Sequence, residues 1–592
     1  MGSALAGGRD EERPRAVAGE APPVVRVLPD ARTLDKCFDY LLPAELSGRV
    51  GVGTLVRVEL HGQRVRGWVV AVGVTPPDGV RLRHVTAVVG VGPPADVVDL
   101  AAWAARRWAG PRAAFLRVAS PPVVVRALPA EVPPHPRTGA PGELLADIVR
   151  ARRAVVRLPP AADALAVVAA MASRGPALVV TASVVGAADL ARRLRAAGVP
   201  VALLPHEWAR AAAGGATVVG ARAAAWAPAP GLAGVVVVDA HDEALQEERC
   251  PTWDAWVVAA ERAARAGAPC ALVSPCPTPE HLAWGRLVTV SRTAERAGWP
   301  PVVVVDRRRD DPRTGLYSTR LVGLLRGDRP VACILNRRGR ARLLACGTCA
   351  ELTRCERCGG AVGLVEAGAV VCRQCGLARP VVCQGCGGQR LKTLRVGISR
   401  AREELAALAG TDVGEVSAAT TEVPDSRVLV GTEALLHRLP PRWVGGAVAF
   451  LDFDQELLAP RFRAGEQALA LLVRAARAVG PRTGGGQVMV QTRIPGHEVL
   501  AAAVHADPGR YIVAEARRRE QLRLPPAVAL ALVSGDAAAA WSVALGGPVE
   551  VLGPDGGRFL LRAPDHTSLA DALARAPRPA GRLRIEVDPA RI

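Results

Sequence analysis

Between Cys346 and Cys386 the chain reads CGTC-AELTR-CERC, thirteen further residues, then CRQC-GLARPVV-CQGC. Eight of its 13 cysteines lie here, as four C-x-x-C pairs. A C-x-x-C turn brings two thiolates onto one ion, and a tetrahedral zinc needs two such turns. Four pairs therefore predict two closed four-cysteine sites and two Zn²⁺ per chain. With every ligand a thiolate, no position stays open for a catalytic water, so both sites read as structural. Gly359, Gly376 and Gly387 follow three of the pairs, where a left-handed turn aims backbone N–H groups at sulfur. A disulfide framework would need an oxidising compartment, and four regular pairs are too many for one redox motif. Spacing alone leaves nested, sequential and crossed pairing open.

At 592 residues, half of them hydrophobic, the chain has room for about three to five folded domains. Its apolar runs are short and broken, which predicts no membrane span. Residues 1–22 lack an apolar stretch and read as a disordered tail, so a cytoplasmic protein is expected. The formal charge of +19 predicts a polyanionic partner. A GC-rich genome would favour arginine over lysine, but it does not explain the excess over acids.

Lys36 and Lys392 are the only lysines. A P-loop needs G-x-x-x-x-G-K-[ST], whose lysine reaches the β- and γ-phosphates. Lys36 follows Asp35, and Lys392 has Leu391 and Cys386 where the two glycines belong. Neither is a Walker A lysine.

Residues 23–92 read as a small β domain of short β-branched runs (PVVRVLP, FDYLLP, TLVRVEL, RGWVVAVGV). Phe38-Asp39-Tyr40 has two readings: aromatics that stack on a base around a hydrogen-bonding carboxylate, or a strand with its aromatics in the core. Residues 93–125 carry an amphipathic helix and suit a winged-helix-like module, and 126–142 are a Pro-rich linker. From 143 to 300 apolar strands (177–183, 216–221, 234–240, 270–275) alternate with helical stretches, predicting a parallel sheet. Val235–Val238 running into Asp239 is the Walker B arrangement. A second α/β pattern covers 301–345 and 387–500, around the cysteine insert at 346–386. Residues 501–592 read as an α+β end-piece.

In this order the pieces resemble the bacterial primosomal replication-restart (PriA) family, from about residue 23 to the C-terminus. The matches are FDYLLP (38–43), VVGARAAA (218–225), NRRGRA (336–341) leading into the cysteines, LDFDQELLAPRFRAGEQAL (451–469), QLRLPP (521–526) and the final VDP. The resemblance implies a multidomain α/β protein: an N-terminal domain that captures the 3′ end of a nascent strand, a winged-helix-like module, two RecA-like helicase lobes with a double zinc insert, and an α+β DNA-binding C-terminal domain. It implies a 3′-end pocket of Phe38, Asp39, Tyr40 and Gly62. It also implies nested zinc pairing, with Cys346, Cys349, Cys383 and Cys386 on one ion and Cys355, Cys358, Cys372 and Cys375 on the other. Implied partners are forked and single-stranded DNA, other primosome proteins, the replicative helicase and its loader, and single-stranded DNA-binding protein.

The sequence departs from that family at three places. RLPPAADAL (157–165) stands at the P-loop. Asp239-Ala240-His241-Asp242 stands where the family has Asp-Glu-Glu-His, so the Walker B glutamate is missing. RAARAVGPRTGGG (474–486) stands at the arginine-finger motif. Phosphate cradle, water activation and charge stabilisation are each affected. The expectation is a fork-binding scaffold without helicase activity; the alternative is an active ATP-dependent 3′-to-5′ helicase.

Overall fold

The structure is a computed structural model that describes residues 23–31, 35–76, 78–133, 142–310, 316–336, 344–349, 351–365, 368–372, 375–393, 398–417, 419–439 and 443–592. The tail at 1–22 and the NRRGRA motif from 337 onward lie outside them. The chain divides into two compact units, one taking in Met1–Ala101 and Pro111–Leu128, the other Ala102–Gly110 and Pro129–Ile592.

The first unit is built on a six-stranded sheet, in the order β5-β2-β1-β4-β3-β6. Its strands are β1 (Val24–Pro29), β2 (Phe38–Leu41), β3 (Leu55–Leu60), β4 (Gln63–Val72), β5 (Arg83–His84) and β6 (Ala87–Gly90). Alternation sets the faces: Val25, Val27, Tyr40, Val56, Val58 and Val69 form one core. On the other face Leu28 and Trp68 are buried, and Trp68 Nε1 donates to Ser120 Oγ at 2.9 Å, just after the helix Arg112–Ala119. β3 and β4 join through His61-Gly62, at φ +48° and +79°, with Leu60 opposite Gln63. Two positive φ values in a two-residue hairpin match the right-handed strand twist, and Gly62 adopts its own without strain.

The second unit holds two parallel sheets. β7 (Arg153–Arg157), β8 (Ala177–Val180), β9 (Val201–Leu203), β10 (Thr217–Gly220), β11 (Gly234–Val238), β12 (Cys270–Val273) and β13 (Arg286–Thr289) run in the order β13-β7-β12-β11-β8-β10-β9. The runs of the central strands β8, β10, β11 and β12 are buried on both faces, as parallel strands under helices must be, whereas edge strand β13 leaves Leu287 exposed. The second sheet uses β14 (Val302–Asp306), β15 (Val331–Ile334), β22 (Val413–Val416), β23 (Val428–Gly431), β24 (Ala447–Phe450) and β25 (Gln487–Thr492), ordered β14-β25-β24-β15-β23-β22. Between β15 and β22 the chain makes two small sheets: β16 (Leu344–Cys346), β17 (Leu352–Thr353) and β21 (Leu391–Thr393), then β18 (Val362–Val365), β19 (Ala369–Cys372) and β20 (Ala378–Pro380). A four-stranded antiparallel sheet of β26 (Ala529–Ser534), β27 (Glu550–Asp555), β28 (Arg558–Ala563) and β29 (Arg584–Val587) ends the fold. Among the described residues no helix is long and apolar enough to cross a membrane.

The VDP residues tie this last sheet to the first parallel lobe. Thr252 Oγ1 donates to the Val587 carbonyl at 2.7 Å and Gln246 Nε2 to the Asp588 carbonyl at 2.6 Å. The Asp588 carboxylate accepts from Arg107 Nη2 at 2.8 Å and lies 2.7 Å from His566 Nε2. Burial pushes this carboxyl up, but Arg107 and His566 outweigh it and hold it well below the usual carboxylate range. Asp588→Ala strands Arg107, whose side chain is only 13 % exposed, and is expected to cost about 3 kcal/mol in urea denaturation at neutral pH. Because the folded pKa is depressed, this contribution is complete above the unfolded value of about 4 and fades as pH falls below it. The difference between wild type and variant should therefore shrink in unfolding measured near pH 3.

Candidate metal centres and nucleic-acid interface

Each C-x-x-C pair sits on a tight turn. Gly359, Gly376 and Gly387 donate their N–H to the carbonyls of Cys355, Cys372 and Cys383 at 2.8, 3.0 and 2.9 Å, with φ of +70°, +71° and +73°. Those turns converge in two groups. Cys346 Sγ lies 3.6 Å from Cys386 Sγ, and Cys349 Sγ 3.5 Å from Cys383 Sγ. Cys355 and Cys375, and Cys358 and Cys372, are each 3.5 Å apart at sulfur. Within each group all four sulfurs lie within 4.8 Å of one another. A zinc–sulfur bond of about 2.3 Å gives a tetrahedron with edges of about 3.8 Å. Two tetrads of nested composition thus match the size of a thiolate-bound zinc, and both could hold that ion.

In the N-terminal sheet the triplet at 38–40 divides between two faces. Phe38 and Tyr40 point to the core, and the Tyr40 hydroxyl donates to the Glu59 carbonyl at 3.1 Å, close to the turn that contains Gly62. Asp39 points the other way. It lies directly across the ladder from Arg26, whose Nε and Nη2 donate to its two carboxylate oxygens at 2.8 and 3.0 Å. Lys36 Nζ sits 5.8 Å from the centre of the Phe38 ring. Arg26 played no part in the sequence reading, although an arginine inside the apolar run VVRVLP marks a position turned away from the core.

The three departures in the parallel lobes meet at one side chain. Asp239 ends β11 in the left-handed region, at φ +54°. Arg477, on the helix Ala464–Val479, donates Nη2 and Nη1 to its two oxygens at 2.7 and 2.8 Å. The same guanidinium donates Nε to the Pro160 carbonyl at 3.2 Å, inside RLPPAADAL. One face of that helix continues the contact: Arg474 Nη2 donates to Asp242 at 3.0 Å, and Gln467 donates to Glu243. Beyond the helix, Arg482 Nε reaches the Arg296 carbonyl at 3.3 Å. Burial would raise the Asp239 carboxyl, but Arg477 more than offsets this and holds it below its usual range. Burial also keeps His241 neutral, 3.0 Å from Ser274 Oγ.

Residues 26–121 match the family model of the 3'DNA-binding domain (3'BD). The chain is 33% identical over 565 residues to the probable replication restart protein PriA of Mycobacterium tuberculosis (strain CDC 1551 / Oshkosh), covering 85% of each chain. It belongs to the PriA replication restart family. The Mycobacterium leprae relative (strain TN) of the same description is 31% identical over 619 residues, covering 93% of this chain and 94% of its own. The replication restart protein PriA of Treponema pallidum (strain Nichols) is 32% identical over 345 residues, about half of each chain. Membership gives the second unit's two parallel sheets their reading as helicase-like lobes, with the cysteine insert inside the second of them. It also makes the first unit a PriA-type DNA-binding module.

Proposed function

We propose that this PriA family member restarts replication by binding arrested forks and promoting assembly of the primosome, without a motor of its own. The observation that carries the reading is the 3′-DNA-binding domain match over 26–121. In this reading the N-terminal sheet takes the nascent 3′ end, with Phe38, Asp39, Tyr40 and Gly62 around it. Arginines neutralise phosphates of branched and single-stranded DNA, so binding is structure-selective and salt-dependent. Two zinc ions, on Cys346/Cys349/Cys383/Cys386 and on Cys355/Cys358/Cys372/Cys375, hold the insert rigid. That insert and the lobes offer docking surfaces to other primosome proteins, to the replicative helicase and its loader, and to single-stranded DNA-binding protein. The working compartment is the cytoplasm, at the nucleoid.

Loss of the motor is supported by the contacts of Arg477. A Walker B aspartate holds Mg²⁺ through its carboxylate, and here both oxygens accept from a guanidinium that also takes a carbonyl of the P-loop position. The lobes contribute a fixed platform in place of an ATP-driven cycle.

Replacing the terminal 3′ hydroxyl of a forked substrate by phosphate is expected to weaken binding by about tenfold, roughly 1.4 kcal/mol. Fluorescence anisotropy on matched forks measures it. Equal affinity for the two ends would remove the 3′-end pocket from the reading.

A further inference from the structure

We propose that Arg57, Arg64 and Arg66, on the β3–β4 hairpin, form a row that holds backbone phosphates of the bound DNA. It is a second contact in the first unit, one that grips the strand without reading its 3′ end. The inference rests on the DNA-binding reading of that unit and not on the 3′-end pocket.

Register puts the three cations together. Arg57 stands directly opposite Arg66 on the ladder, and Arg64 opposite Glu59. Residues two apart in a strand share a face at a spacing of about 7 Å, so Arg64 is the diagonal neighbour of Arg57. On its other side Arg57 meets Ala87 of β6, which brings no charge. Further along the same face Trp68 is buried and bonded to Ser120, but closer to the turn Arg57, Arg64 and Arg66 are all exposed.

Like charges directly across a ladder repel, and a strand pair that carries them gives up stability. The nearby carboxylates do not cancel them. Asp30 accepts from Arg66 at 3.0 Å but also from Arg117, and Glu59 pairs with Arg83 in place of Arg64. Among the described residues neither Arg57 nor Arg64 has a side-chain hydrogen bond or ion pair. A face made only for water intersperses both signs. An anion that bridges the rung removes the repulsion, and phosphate suits it, because guanidinium donors match its oxygens in pairs. The backbone is held ready: Thr86 donates its N–H and its Oγ1 to the Arg57 carbonyl at 2.9 and 2.8 Å.

The test uses the full-length protein and labelled forks ending in 3′-hydroxyl or 3′-phosphate, with affinity measured across a series of salt concentrations. Each phosphate contact contributes about 0.9 (duplex) or 0.7 (single strand) to the magnitude of the slope of log K against log salt. Arg57→Gln is expected to weaken binding about tenfold at moderate salt and to lower that slope by one such contact, equally on both forks. Arg57→Lys should keep the slope. Arg57→Glu should lower it by two such contacts, because the new carboxylate also engages Arg66. Hydrogen exchange across β3 and β4 should move the other way. It slows in Arg57→Gln and slows further in Arg57→Glu, as repulsion is removed and then replaced by attraction. Binding lost while the hairpin gains protection is a result that a purely structural role does not produce.

An unchanged slope in both Arg57→Gln and Arg57→Glu would overturn the proposal and leave the row a solvated face. Faster exchange alongside weaker binding would overturn it too, by assigning the loss to a damaged hairpin. So would a loss confined to 3′-hydroxyl forks, since the row would then belong to the end pocket. The 3′-end reading fails separately, if wild type binds the two forks alike while the Arg57 slope still changes.

Discussion

Serine at both Cys346 and Cys386 is expected to leave one zinc per chain in place of two, while serine at Cys346 and Cys355 leaves none. Elemental analysis of the purified variants reads the difference directly. The pairs are chosen because pairing schemes disagree about them. Under the nested grouping seen at the sulfurs, Cys346 and Cys386 serve one centre, and Cys346 and Cys355 serve different ones. A sequential scheme reverses both results, and a crossed scheme strips both ions in either variant. The structural effect should be large. Structural zinc contributes about 10–16 kcal/mol in zinc-finger peptides at neutral pH. Among the described residues, the buried apolar cluster beside the inner tetrad holds Leu344, Val362 and Val370 besides Cys355 and Cys372, with Leu377 and Leu391 half-buried against it, too little to fold alone. Chelation should therefore open the insert to protease between residues 344 and 393, with the parallel sheets still resistant. An insert that stays protected after both ions are removed would count against a structural role for zinc.

The second large effect is an absence of turnover. With forked DNA, Mg²⁺ and ATP, the wild-type chain is expected to show no DNA-stimulated hydrolysis, and Asp239→Asn to match it. The reason is competition at the carboxylate. Mg²⁺ would have to displace a bidentate guanidinium that is also anchored at Pro160, with Arg474–Asp242 beside it. Arg477→Ala is instead a stability variant. It leaves Asp239 without its partner while that side chain is 23 % exposed, and should cost about 1–3 kcal/mol in denaturant unfolding. DNA-stimulated hydrolysis that disappears in Asp239→Asn would overturn the scaffold reading and restore the helicase alternative.

Much of the architecture was legible because burial leaves a plain mark on a parallel strand. The apolar stretches at 177–183, 216–221, 234–240 and 270–275 contain β8, β10, β11 and β12, each bounded by a turn or a polar residue. The C-x-x-C pairs were legible as candidate metal ligands, since their spacing is a local property; which turns come together became geometric only in the fold. What stayed hidden was polar and long-range. Asp239 and Arg477 are 238 positions apart, and a guanidinium in the place of a metal leaves no periodic signal. Asp39 was read for its carboxylate, but cross-strand register decides what that carboxylate meets, and register is set by the whole sheet. Asp588 looked like part of a terminal signature until Arg107, Gln246 and His566 gathered on it.

β16 and β21 are neighbours on one antiparallel ladder, Cys346 opposite Leu391. The two described ends of the cysteine module are therefore paired at its base. Its length and outer surface can change without altering the span that the lobe has to bridge, and the entropy of closing that excursion is met at its own neck. Such a paired neck lets the outer surface of the module vary while its base keeps its register.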